Sequence, residues 1–158
     1  MANLKKQTVG FWLAVFTLIL GIVSLIAYNV NVAGAGYFHG ATVETGFRYM
    51  VIAIILAACV VVLTLIPVEG MVAKILTVVS DVLRIITPAL FIASVLTIVS
   101  ARVQGFAFIY FSNVEVLQEV QTPANLSSAH GAIANIVLLA VSAIVGIVGA
   151  FFSTRKSA

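Results

Sequence analysis

Charge is the scarcest ingredient of this sequence: eight Lys and Arg and five Asp and Glu among 158 residues. A soluble domain devotes about a quarter of its residues to charge, because its surface must be solvated. A water-exposed globule is therefore excluded, and lipid is the solvent that suits a chain 63% hydrophobic. The net charge of +3 is too small and too dispersed for a nucleic-acid footprint, so no nucleic-acid partner is expected. Cysteine is almost missing. Cys59 stands alone in an apolar run, which rules out an intrachain disulfide and any fold organised by extracellular cysteine pairs. Its expected role is that of a small packing residue. Histidine is nearly as rare, and neither His39 nor His130 has a Cys, His or Asp close by in sequence. A metal site needs several convergent ligands, so no metal is expected and both histidines are read as surface or interfacial. There is no Ser/His/Asp or Cys/His set and no carboxylate pair inside an apolar run. A catalytic centre and a cofactor are accordingly not expected.

What is present is apolar length. Four runs are long enough to cross a hydrocarbon core of about 30 Å: residues 9–28, 48–66, 71–103 and 123–152. The first is preceded by Lys5 and Lys6 but is too long for a signal-peptide core, and is read as a retained span. Pro67 stops the second. Thr122-Pro123 is a cap followed by a first-turn proline and opens the fourth. The expected fold is all-α, a four-transmembrane-helix up-down-up-down bundle forming one membrane domain, with a short ordered outer-loop segment. Lys5, Lys6, Lys74, Arg155 and Lys156 flank the short connections and the termini. The positive-inside rule then places both termini in the cytoplasm, with Arg48 and Arg102 as minority outer charges. Short loops and no disulfide suggest a prokaryotic cytoplasmic membrane.

Small and weakly polar residues recur at alternating steps of four and three. The first span has Gly10, Ala14, Thr17, Gly21, Ser24 and Tyr28. The fourth has Asn125, Ser128, Ala132, Asn135, Ser142, Gly146 and Gly149, with Leu139 in the gap. The third has Ser80, Arg84, Thr87, Ser94 and Ala101 around Phe91, and the second only Ala53, Ala57 and Thr64. In lipid, helix seams are small and polar because close backbone approach and interhelical hydrogen bonds replace the hydrophobic drive. Gly21, Ser142, Gly146 and Gly149 are expected helix-packing positions.

Asp81, Arg84 and Asn135 are the candidate intramembrane polar residues. Asp81 and Arg84 are three apart and can meet on one helix face, and Pro88 one turn later frees the Arg84 carbonyl. Two placements are open. If the third span starts at its first residue, the pair lies near mid-bilayer, where a charge costs at least about 2.5–3.5 kcal/mol unless paired. If residues 85–101 form the span, Lys74, Asp81 and Arg84 lie in a cytoplasmic extension. The default role of Asn135 is an interhelical hydrogen bond.

The second outer connection carries an aromatic run, Phe106, Phe108, Tyr110 and Phe111, suited to the membrane–water boundary. Ser112-Asn113-Val114-Glu115 then reads as a capping box opening a short helix, although residues 114–120 also alternate in part like a strand. With Glu115 and Glu119, these aromatics are the candidate partner-binding residues. The first functional expectation is a non-enzymatic accessory or scaffold subunit, binding a larger membrane or extracytoplasmic partner. The alternatives are a small oligomeric transporter or channel using Asp81, Arg84 and Asn135, and a lipid-modifying membrane enzyme. The lipid bilayer is a partner in each case.

Overall fold

The computed structural model describes residues 7–154; Lys5, Lys6, Arg155 and Lys156, on which the orientation reading leans, lie outside the described residues. The chain forms α1 (Val9–Ala33), α2 (Glu44–Leu65), α3 (Gly70–Phe111), α4 (Val114–Val120) and α5 (Pro123–Ala150), with no strand among the described residues. All but α4 are long and apolar enough to cross a membrane, and the molecule is an all-α, four-helix membrane bundle.

Local chemistry sets most of the boundaries. The Thr8 hydroxyl accepts from the Phe11 amide and opens α1. Ile66, the residue before Pro67, is forced into extended backbone and ends α2. Thr122 accepts from the Asn125 amide with Pro123 in the first turn, and α5 follows. Gly36 and Gly40 take positive φ in the loop joining α1 to α2, conformations that side chains with a Cβ disfavour.

Consecutive long helices run antiparallel. In cross-section the order is α1, α5, α3, α2; α1 packs most extensively on α5, and the α1–α2 seam is the thinnest. Phe91, fully buried on α3, reaches the bundle centre, where its ring lies against Gly21 of α1. Around it sit Tyr28, Met50, Ala53, Ile98, Leu139 and Ala143.

Four expectations are corrected. Helix α3 is 42 residues long and continues through Phe111, so the aromatic run is its last two turns and not a loop; nothing in residues 104–111 breaks a helix. Ser112 ends α3, and the cap of α4 is Asn113, whose side chain accepts from the Val116 amide. The seam of α3 does not reach Ala101, which is exposed; it steps from Ser94 to Ile98 to Arg102. A straight helix drifts off a strict seven-residue repeat, and two successive steps of four follow that drift. Cys59 is exposed on the bundle surface and not packed inside it. The seam of α2 is also fuller than its composition suggests: Gly46, Met50, Ala53, Ala57 and Val60 are all buried.

Candidate functional site

Arg84 is 7% exposed and Asp81 54% exposed, so the two are unequal partners. Arg84 Nη1 donates to Asp81 Oδ1 at 3.1 Å. Its Nη2 reaches across the bundle and donates to the carbonyls of Gly149 and Phe152, where α5 ends. The last turn of any helix leaves carbonyls without intrahelical donors, and a cation there is also favoured by the helix dipole. The arginine is thus the C-terminal cap of α5, delivered by α3. Gly10 of α1 belongs to the same level: a Cβ there would fall 2.5 Å from the Phe152 carbonyl oxygen. The ion pair therefore lies at the end of the four-helix section, beside the first turn of α1 and the last turn of α5, and not half-way along it. Above it, where α1, α2, α3 and α5 converge on Thr17, Ala57, Arg84 and Pro88, is a cavity of about 20 Å³, room for about one water.

Half-way along, Asn135 of α5 meets Ser24 of α1. The Asn135 amide nitrogen donates to the Ser24 carbonyl at 2.9 Å and to its hydroxyl at 2.8 Å, and the Ser24 hydroxyl lies 3.3 Å from the Asn135 carbonyl, to which it donates. This clip is wholly buried. The Asn135 Oδ1 has no hydrogen-bond partner among the described residues. Ser142 turns its hydroxyl back to the Leu138 carbonyl at 2.7 Å. The packing glycines behave differently from one another. Gly21 and Gly149 are buried, and half-buried Gly146 lies against Pro88.

The far end is organised by Arg102, which the spacing of small residues did not single out. It is 3% exposed, its Nη2 donates to the Ala41 carbonyl at 2.6 Å, and its guanidinium lies 4.3 Å above the Phe38 ring. No carboxylate among the described residues pairs with it. A desolvated cation over a ring face gains about 2 kcal/mol. Phe38 and Tyr37 pack on Gly105, where a Cβ would intrude. Their rings meet Phe106 at 5.5 Å and Phe108 at 5.7 Å respectively. The first loop is thereby strapped across α3. Asn31 and Ser128 extend the strap to α5: the Asn31 amide donates to the Ser128 carbonyl at 2.6 Å, and the Ser128 hydroxyl accepts from the Phe38 amide at 3.1 Å.

The six partner-binding candidates divide. Phe106 and Phe108 join the aromatic cluster of the first loop, and Tyr110 is half-buried with its hydroxyl unpartnered. Phe111, 84% exposed, points away from the bundle with Glu115 and Glu119. Helix α4 has no buried residue. It is held at its ends, where Gln121 donates to the Ile109 carbonyl at 3.0 Å and Asn125 to the Val120 carbonyl at 2.8 Å. His39 and His130 are both exposed, and no cluster of metal-binding side chains occurs among the described residues.

Comparison with known protein families, with curated proteins and with solved structures finds no match to this chain. The geometry has to speak alone. On α3 the two buried arginines are eighteen residues apart, about 27 Å along the helix and close to the thickness of a hydrocarbon core. Each is spent on main-chain carbonyls at one end of the bundle. The signal that could have found Arg102 was this spacing from Arg84.

Proposed function

We propose that the protein is a non-enzymatic accessory or scaffold subunit of a membrane, presenting its loop end to a larger membrane or extracytoplasmic partner. The observation that carries this reading is the use to which the deep polar groups are put. Arg84 caps α5, Arg102 holds the first loop, and Asn135 clips α5 to α1. Groups that carry an ion or proton through a membrane face a shared water-filled path; these three face helix ends and neighbouring backbone. The cavity between Thr17 and Pro88 has room for about one water.

The surface offered to the partner is Phe111 with Glu115 and Glu119, exposed on the turn and short helix beyond α3. The start of α1 and the end of α5 lie at the opposite end, on the side of the Arg84 cap, and that side is the cytoplasmic one by the positive-inside reading of the basic flanks. The test is purification of the native protein in mild detergent, beside a Phe111→Ala, Glu115→Gln, Glu119→Gln variant. A stoichiometric partner held by the wild type and lost by the variant supports the assignment. A wild type that elutes as a clean monomer or homo-oligomer overturns it, and moves attention to flux measurements on Asp81 and Arg84 variants in proteoliposomes.

A further inference from the structure

The thinnest seam of the bundle, α1 against α2, opens at the loop end into a cleft of about 470 Å³, within the size range of small-molecule sites. Its depth is set by the neighbouring strap: Arg102 bonds to Ala41, immediately before Thr42 in the cleft wall. The cleft therefore lies at one of the two arginine levels that bracket about 27 Å of α3, the level at which lipid headgroups meet a hydrocarbon core. Its inner wall is apolar, formed by half-buried Val32 and Phe47. Its rim is polar and of both signs: Glu44 and Arg48, an exposed ion pair one helical turn apart, with Asn29 and Thr42 beside them.

We propose that this cleft binds one phospholipid with a phosphoethanolamine headgroup. Arg48 supplies donors for the phosphate oxygens, since a guanidinium matches a phosphate in charge and geometry. Glu44 supplies the counter-charge for the ammonium, and Asn29 a neutral acceptor. The Asn29 amide nitrogen donates to the Leu25 carbonyl at 2.8 Å, and the oxygen is the acceptor its side chain offers. The Thr42 hydroxyl completes the polar edge. The exposed Glu44–Arg48 contact is weak enough to open and exchange for ligand contacts. A primary ammonium is chosen over choline because the rim offers oxygen acceptors and the best ring for a quaternary ammonium, Tyr28, is buried, its hydroxyl accepting from the Val43 amide at 2.6 Å. Phe47, nearly one turn inward of Glu44 on α2, receives the start of the acyl chains.

The test compares wild type with Glu44→Gln, Arg48→Gln, both exposed positions whose change leaves the core untouched. Each protein is reconstituted in vesicles of equimolar phosphatidylethanolamine and phosphatidylcholine, extracted in mild detergent, and its retained phospholipid quantified by mass spectrometry. The wild type is expected to retain about one phosphatidylethanolamine per chain, enriched about tenfold over phosphatidylcholine, with the enrichment lost in the variant. Added phosphatidylethanolamine should also raise the melting temperature of the wild type alone, while phosphatidylcholine and inorganic phosphate leave it unmoved. Equal retention of the two lipids by wild type, an enrichment that survives in the variant, or stabilisation by inorganic phosphate would each overturn the proposal. If the double variant does not fold, Asn29→Leu carries the same comparison.

Discussion

At the residue scale, Asp81 and Arg84 differ in a way their pairing conceals. Arg84 is buried and holds three oxygens, one on its own helix and two where α5 ends; Asp81 is half in the open and holds one nitrogen. Removing the arginine takes a charged donor from the Gly149 and Phe152 carbonyls, of which Gly149 keeps the Phe152 amide at 3.1 Å, and a hydrogen bond to a charged group is worth about 1.5–3 kcal/mol. Removing the carboxylate loosens a partly exposed pair, worth about 0–1 kcal/mol. We therefore expect Arg84→Leu to destabilise the folded protein by about 2–4 kcal/mol and Asp81→Asn by less than about 1 kcal/mol, measured by equilibrium unfolding in mixed detergent micelles. Equal effects would mean that the pair, and not the cap, is the working unit. Asn135→Leu should lie nearer the second value. Interhelical hydrogen bonds in membranes average about 0.6 kcal/mol, and the substitution also removes an oxygen that has no partner.

At the element scale, glycine in α1 and aromatic bulk in α3 are complementary. A Cβ at Gly21 would lie 2.8 Å from Cζ of Phe91, which is fully buried. Gly21→Val is expected to cost about 1–3 kcal/mol by overpacking, and Phe91→Leu in the same chain to recover part of it, read by the same unfolding measurement. Helix α4 is the opposite case, seven residues with nothing buried. Elements with few buried contacts open at little cost, so amides of residues 114–120 should exchange with deuterium well before those of α5 around Asn135. Asn113→Ala, which deletes the side-chain N-cap of α4, should quicken that exchange by about 0.5–2 kcal/mol of local stability without shifting global unfolding.

At the scale of the whole molecule, Gly10 against Phe152 puts the start of α1 beside the end of α5, so reporters fused to either terminus should report the same side of the membrane, and by the basic flanks the cytoplasmic side. Opposite signals would break the four-span topology. Much of this architecture was legible in the chain. Four long apolar runs in a sequence this poor in charge admit only helices in lipid, because every backbone group there must be satisfied within its own segment. The seams of α1 and α5 could be read from Gly21, Ser24, Ser128, Asn135 and Ser142, since small and polar residues repeat at helical spacing for one physical reason. Levels along the bundle could not be read. Whether Arg84 lies at mid-span depends on where α5 stops against it, a contact between residues 65 apart in sequence. Arg102 looked like a boundary charge until the first loop folded Ala41 and Phe38 over it. The sequence by itself determined the solvent, the number of spans and the inward faces of α1 and α5, all of which follow from local composition and period. Only the tertiary structure decided which polar groups meet, how α3 outlasts its neighbours, and where a cleft opens between α1 and α2, because each depends on the relative height of helices that no local pattern records.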